Sequence, residues 1–120
     1  MNSSNTYKVK DESYKFSLMI IETYTFLKNN NEYILSKQFL RAGTSIGANI
    51  IESQDAESKK DFIHKMSIAL KEAKETQYRI SLLIDTKYLS TYPQIQNLLD
   101  KCNELVAVIT KIIKSSKANW

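Results

Sequence analysis

The side chains able to do chemistry are few, and their spacing narrows what they can do. His64 is the chain's one histidine, and Asp61 stands three residues before it. Carboxylate-bridged di-metal sites in helical bundles need two Glu-x-x-His pairs and two further inward carboxylates. Asp61-x-x-His64 is a single half-match with no second histidine, so no metal and no other cofactor is expected. Cys102 is the one cysteine, which excludes an intrachain disulfide and any multi-thiol metal site. It lies on an apolar stripe, where a small buried thiol is the default, and no spacing pairs it with His64 as a nucleophile. The two glycines, Gly43 and Gly47, fall inside a helical pattern and lack the Lys-Ser/Thr of a phosphate-cradling loop. No catalytic residue is assigned, and the chain is read as a non-enzyme.

The lysines offer a different chemistry. Lys60, Lys71 and Lys74 share a helix face with His64 and Ser67, and Lys111, Lys114 and Lys117 cluster near the C-terminus. Lysines recurring on one face can neutralise nucleic-acid phosphates. The plainer alternative is a solvated face, with Glu72 and Glu75 interleaved in sequence. No aromatic residues are interleaved with these lysines, so binding would run through the phosphate backbone with little sequence preference. The net charge of +4 and a pI near 9.1 permit an anionic partner such as RNA or DNA without requiring one. In a symmetric assembly, the same excess would be repeated by every copy.

Four elements must position these residues. Gly occurs twice and Pro once in 120 residues, too few turn formers for a many-stranded β fold. Apolar residues recur at helical spacing instead. Phe16, Ile20, Thr23 or Tyr24, and Leu27 define a first helix, which Asp11 caps and the Asn29-Asn30-Asn31 run ends. Leu35, Phe39, Ala42, Ile46 and Asn49 define a second, from about Tyr33 to Gln54. Ser58 and Asp61 make a capping-box-like start for a third. Phe62, Met66, Ala69, Ala73, Thr76, Ile80 and Leu83 form its stripe, and Asp61–Lys65 and Glu75–Arg79 are i,i+4 ion pairs. Pro93 opens a fourth, with Ile95, Leu98, Cys102, Leu105, Ile109 and Ile112. The predicted fold is therefore all-α: an antiparallel up-down-up-down four-helix bundle over residues 11–114, a flexible tail at 1–10 and a second tail at 115–120. Residues 1–10 lack the apolar core of a signal peptide, and the aliphatic run Leu18–Ile21 is too short to cross a bilayer, so a cytoplasmic protein without a membrane association is expected.

Gly43 and Gly47 each weaken a helix by roughly 1 kcal/mol against Ala, so a close contact must compensate. Small residues one turn apart let two backbones approach. The partner is either a helix of the same chain or another subunit.

The run Arg41-Ala42-Gly43-Thr44-Ser45-Ile46-Gly47-Ala48-Asn49-Ile50, together with Asp61 to Tyr78, resembles the bacterial family of proteins encoded in 23S rRNA intervening sequences, also called four helix bundle proteins. The resemblance covers nearly the whole chain. It implies an antiparallel four-helix bundle assembled as a homopentamer, and it brings no catalytic activity with it. A relative of that family, the accessory variability determinant protein of diversity-generating retroelements, is a basic pentameric bundle that works with a reverse transcriptase and binds nucleic acid. Gly43, Ile46, Gly47, Asn49, Tyr78 and Arg79 are candidates for helix packing or subunit contact, and the lysine clusters make Lys60, Lys71, Lys74, Lys111 and Lys114 candidates for nucleic-acid binding. The function implied is an oligomeric RNA-associated accessory protein. The alternative is a scaffold that docks another protein and holds no nucleic acid. The chain departs from the family at Tyr78-Arg79-Ile80, where a Tyr-Trp pair followed by Leu is usual. Arg79 there either rewires a subunit contact or adds positive charge to a solvent face.

Overall fold

The computed structural model describes residues 3–119, and all the regular structure among them is helical. The four helices are α1 (Ser3–Asn29), α2 (Leu35–Gln54), α3 (Lys59–Asp85) and α4 (Ile95–Asn119). Each packs against two neighbours, in the cyclic order α1–α2–α3–α4, within an envelope of 47 × 21 × 20 Å. The elongation follows from helix length: 27 residues at about 1.5 Å each make a rod of about 40 Å.

The core lies where the periodic stripes point. Phe16, Ile20, Thr23 and Leu27 are buried on α1, which settles Thr23 over Tyr24, and Phe39, Ala42 and Ile46 on α2. All seven predicted α3 positions from Phe62 to Leu83 are buried, as are Leu98, Cys102, Leu105, Ile109 and Ile112 on α4, while Ile95 is only partly buried. On α2 the stripe passes through Ile50, and Asn49 stays half-exposed with its Nδ2 donating to Ser45 O at 2.9 Å.

The termini differ from the prediction. Residues 3–10 are the first turns of α1, with Val9 fully buried seven residues before Phe16. Asp11 is therefore an exposed residue within the helix, ion-paired with Lys15 at 3.0 Å, and not its cap. At the other end α4 runs to Asn119, with Ile113 and Ser116 buried beyond Ile112. The stripes continue through segments whose polar composition suggested tails. Met1, Asn2 and Trp120 lie outside the described residues.

The helix ends have local causes. Asn31 adopts the left-handed conformation (φ 68°) after α1, as its neighbours' composition suggests, and Lys87 does so (φ 74°) after α3. α2 starts at Leu35 because the buried Glu32 carboxylate accepts the Ser36 N–H at 2.6 Å, satisfying a first-turn amide. Ser58 caps α3 by accepting the Asp61 N–H at 3.0 Å. Asp61 turns back to accept the Glu57 N–H at 3.3 Å, and Lys65 reaches Glu52 of α2 at 3.9 Å instead of pairing with Asp61. The α3–α4 connection is tied down by Tyr92, whose ring lies 4.7 Å from that of Phe26 and whose hydroxyl shares a 3.1 Å hydrogen bond with Thr23.

The two glycines meet α1 of their own chain. A Cβ on Gly43 would stand 2.5 Å from Ile20 Cδ1 and 2.6 Å from its Cγ1. On Gly47 it would stand 3.2 Å from Ser17 Oγ and 3.4 Å from Ser13 O. The close approach that repays the glycines is thus intramolecular. Gly43→Ala should destabilise the fold: overpacking costs ~1–3 kcal/mol, and the gain in helix propensity, ~1 kcal/mol, offsets only part. At Gly47 the two effects nearly cancel. Urea titrations should rank Gly43→Ala well below Gly47→Ala. Gly43→Ala combined with Ile20→Val should cost less than the sum of the single changes.

Cys102 is buried, with Sγ 3.6 Å from Ala73 O, and burial pushes its pKa from 9.0 up to about 12. A thiol reagent should leave the native protein unmodified at neutral pH and label it once unfolded. A raised pKa means that the folded state keeps its proton longer. Cys102 therefore contributes fully below pH 9, and that contribution falls as pH rises from 9 towards 12. A Cys102→Ala variant should show a flatter stability profile in that window.

Candidate nucleic-acid interface

The outward face of α3 is set by the same spacing that builds its core. The core takes steps of four and three, and the exposed positions follow the same steps between them: Lys60, His64, Ser67, Lys71, Lys74, Tyr78, Ser81 and Asp85. From Lys60 to Ser81 this face carries three lysines and no carboxylate.

The carboxylates interleaved in sequence have turned aside. Glu72 and Glu75 are partly buried towards α2, where Arg41 Nη1 lies 3.2 Å from Glu72 Oε2 and Nη2 donates to Glu75 Oε2. The Glu75 hydrogen bond raises the Arg41 pKa, against the lowering effect of desolvation. Arg79 joins the same network. Its Nη1 donates to Gln38 Oε1 of α2 at 2.8 Å, and its Nε lies 3.5 Å from Glu75 Oε2, the predicted i,i+4 pair. Arg79 is therefore neither a free surface charge nor aimed away from its own chain. Two arginines and two glutamates neutralise one another along the α2–α3 seam, and the lysines remain outside it.

Lys60, Lys71, Lys74, Lys111 and Lys114 are all exposed, and none has a carboxylate within ion-pair distance among the described residues. On α4 the exposed acids Asp100 and Glu104 precede Ala107, and Lys111, Lys114 and Lys117 follow it. Lysines near a helix C-terminus also complement the helix dipole, so the α4 cluster has a local reason that the α3 lysines lack.

A concavity of about 560 Å³ lies between α1 and α4 over Phe16, Met19, Leu105 and Val108. Lys15 pairs with Asp11 at 3.0 Å, and Lys101 with Glu104 at 3.4 Å and Glu12 at 3.9 Å, while Lys8 on the same rim has no ion pair among the described residues. The carboxylates of Glu12 and Glu104 on this rim make it less suited to an anion than the α3 face. His64 shares a shallow hollow with Ser58, Lys60 and Asp61. No group of three or more His, Cys, Asp or Glu side chains placed to hold a metal occurs among the described residues.

The packing candidates divide. Gly43, Ile46 and Gly47 are buried within the chain, Asn49 bonds its own helix, and Arg79 bonds α2. Tyr78 alone of that group projects outward, 60% exposed. It stands on the lysine face, so an aromatic does accompany these lysines, contrary to the expectation from sequence. The i,i+4 relation of Lys74 and Tyr78 was the signal that could have found it.

None of the helices, among the described residues, is long and apolar enough to cross a membrane. No curated protein matches the chain. Among solved structures, a protein of unknown function from the S23 ribosomal protein family of Bacteroides thetaiotaomicron VPI-5482 superposes with a TM-score of 0.87 at 45% identity, over 92% of this chain and 98% of that one. The model of the 23S rRNA-intervening sequence protein family matches residues 5–111, and with that match, the four-helix fold and the shared architecture of its solved relative, this chain belongs to that family.

Proposed function

We propose that this protein is a non-enzymatic, oligomeric accessory protein that holds RNA or DNA by its phosphates. The observation carrying the proposal is the carboxylate-free lysine face of α3, with Glu72 and Glu75 drawn off by Arg41 and Arg79. The family's description, which names 23S rRNA intervening sequences, is consistent with an RNA-associated role.

In this reading the helices run up-down-up-down, each antiparallel to its neighbours. The order of contacts supports it: Ile20 meets Gly43 while the earlier Ser17 meets the later Gly47, and Glu12 meets Lys101 while Thr23 meets Tyr92. Gln77 bonds Asn103 across α3 and α4. With those two helices antiparallel, Lys111 and Lys114 fall level with Ser67 and His64, and the two lysine clusters share one side of the bundle.

The opposite side suits self-association into a homo-oligomer, a pentamer in this reading. Tyr14, Leu18 and Ile21 of α1 and Ile51 of α2 are exposed and uncharged, an unusual concentration for a monomer's surface. The same patch favours a second reading, a scaffold whose assembly docks a protein and holds no nucleic acid.

Gel-shift titrations separate the two readings. Wild type should bind single-stranded RNA at low salt, with log K falling by about 0.7 per phosphate neutralised for each unit of log[salt]. Changing Lys60, Lys71 and Lys74 to Glu should weaken binding uniformly across sequences and flatten that slope, with circular dichroism unchanged. No affinity at ~50 mM salt for RNA or DNA leaves the scaffold reading. Light scattering should give a mass several times that of one chain, and Leu18→Asp with Ile21→Asp should lower it. A wild-type monomer at micromolar concentration sinks the oligomer.

A further inference from the structure

Tyr78 is an exposed aromatic in line with two exposed lysines, Lys71 and Lys74, that have no ion pair among the described residues. Its position on α3 is held from both sides. Gln77 Nε2 donates to Asn103 Oδ1 of α4 at 2.8 Å, and Arg79 Nη1 donates to Gln38 Oε1 of α2 at 2.8 Å. The residues flanking Tyr78 are thus pinned to the two neighbouring helices, which leaves its ring pointing away from both. Lys74 stands one turn before it and Lys71 two turns before, all three exposed. The Tyr78 hydroxyl makes no hydrogen bond and its ring no aromatic contact among the described residues.

The other exposed tyrosines lack this setting. Tyr33 spends its hydroxyl on Asn31 Oδ1 at 2.8 Å. Tyr14 has a single exposed lysine, Lys10, one turn before it and the uncharged Leu18 one turn after, and Tyr88 lies in the α3–α4 connection.

We infer that Lys71, Lys74 and Tyr78 form a site for single-stranded nucleic acid, with an unpaired base stacked on the Tyr78 ring and the two lysines on flanking phosphates. The inference rests on the phosphate-binding reading above and narrows it to unpaired strands. From Lys71 to Tyr78 is seven residues, about 10 Å along the helix, the length of roughly three nucleotides in a stacked strand at about 3.4 Å each. Lysines alone do not distinguish paired from unpaired strands, since both present phosphates. A ring does, because duplex bases already have their faces covered, whereas a splayed base can stack on an aromatic side chain. Such stacking is indifferent to base identity, so the site prefers single strands without preferring a sequence.

The experiment compares fluorescence-anisotropy affinities of the full chain for a uridine oligomer, the same oligomer with abasic central positions, and an RNA duplex of equal length, all at one low salt concentration. Tyr78→Ala should weaken uridine-oligomer binding on the order of tenfold. It should leave duplex binding and the salt slope unchanged, and remove the wild-type preference for the base-bearing oligomer. Tyr78→Phe should behave as wild type. Equal loss on duplex and single strand, no loss on either, or a fall in oligomer mass on Tyr78→Ala would each overturn the stacking site, the last by making Tyr78 a subunit contact. Wild type that binds none of the three ligands overturns the phosphate-binding reading, and this inference with it. Wild type that binds all three without discriminating overturns this inference alone.

Discussion

The seat of Ile20 on the bare backbone of Gly43 sets the spacing on which the bundle depends. No Cβ can stand between them, so α1 and α2 approach more closely than two ordinary helices allow. Helices joined this tightly leave little room for polar groups in the seam, and the polar side chains there are small: Ser13 and Ser17 donate to carbonyls of their own helix. With the inner faces of α1 and α2 filled by Phe16, Ile20, Ile46 and Ile50, the apolar residues Leu18, Ile21 and Ile51 have no place inside. Their exposure follows from the packing.

The α2–α3 seam does the complementary work with charge. Arg41 of α2 reaches Glu72 and Glu75, Arg79 of α3 reaches Glu75, and Gln38 Oε1 accepts a hydrogen bond from Arg79 Nη1. Partly buried pairs of this kind contribute little net stability once desolvation is counted. Their larger effect is on where charge resides. Removing Glu72 and Glu75 from the solvent face leaves Lys71 and Lys74 without a carboxylate on their own face, so a nearly balanced helix presents a basic exterior. Arg79 extends the same network without creating a free charge.

Much of this was legible in the chain itself. Apolar steps of four and three located all four helices and most buried positions, because the 3.6-residue period ties burial to sequence without reference to any partner. Ser58 and the Asn29–Asn31 run marked real boundaries for an equally local reason, the hydrogen bonds and backbone angles their side chains permit. The same local reasoning failed at Asp11 and beyond Lys114. There polar composition outweighed the single apolar Val9, and the buried Ser116 carries no apolar signal; only a neighbouring helix gives those residues something to pack on.

What the tertiary structure alone decided is the destination of each polar or small side chain. Gly43 and Gly47 fit either an intramolecular or an intersubunit seam in sequence, and the position of Ile20 chose the first. Glu72 and Glu75 read as neighbours of Lys71 and Lys74, yet one residue is 100° of helix. That rotation, with Arg41 waiting on α2, puts acid and base on different faces. The sequence by itself determined the helices, their core stripes and the family; the charge pattern and the exposure of Tyr78 belong to the packing, because a side chain's partner is set by the helix opposite it.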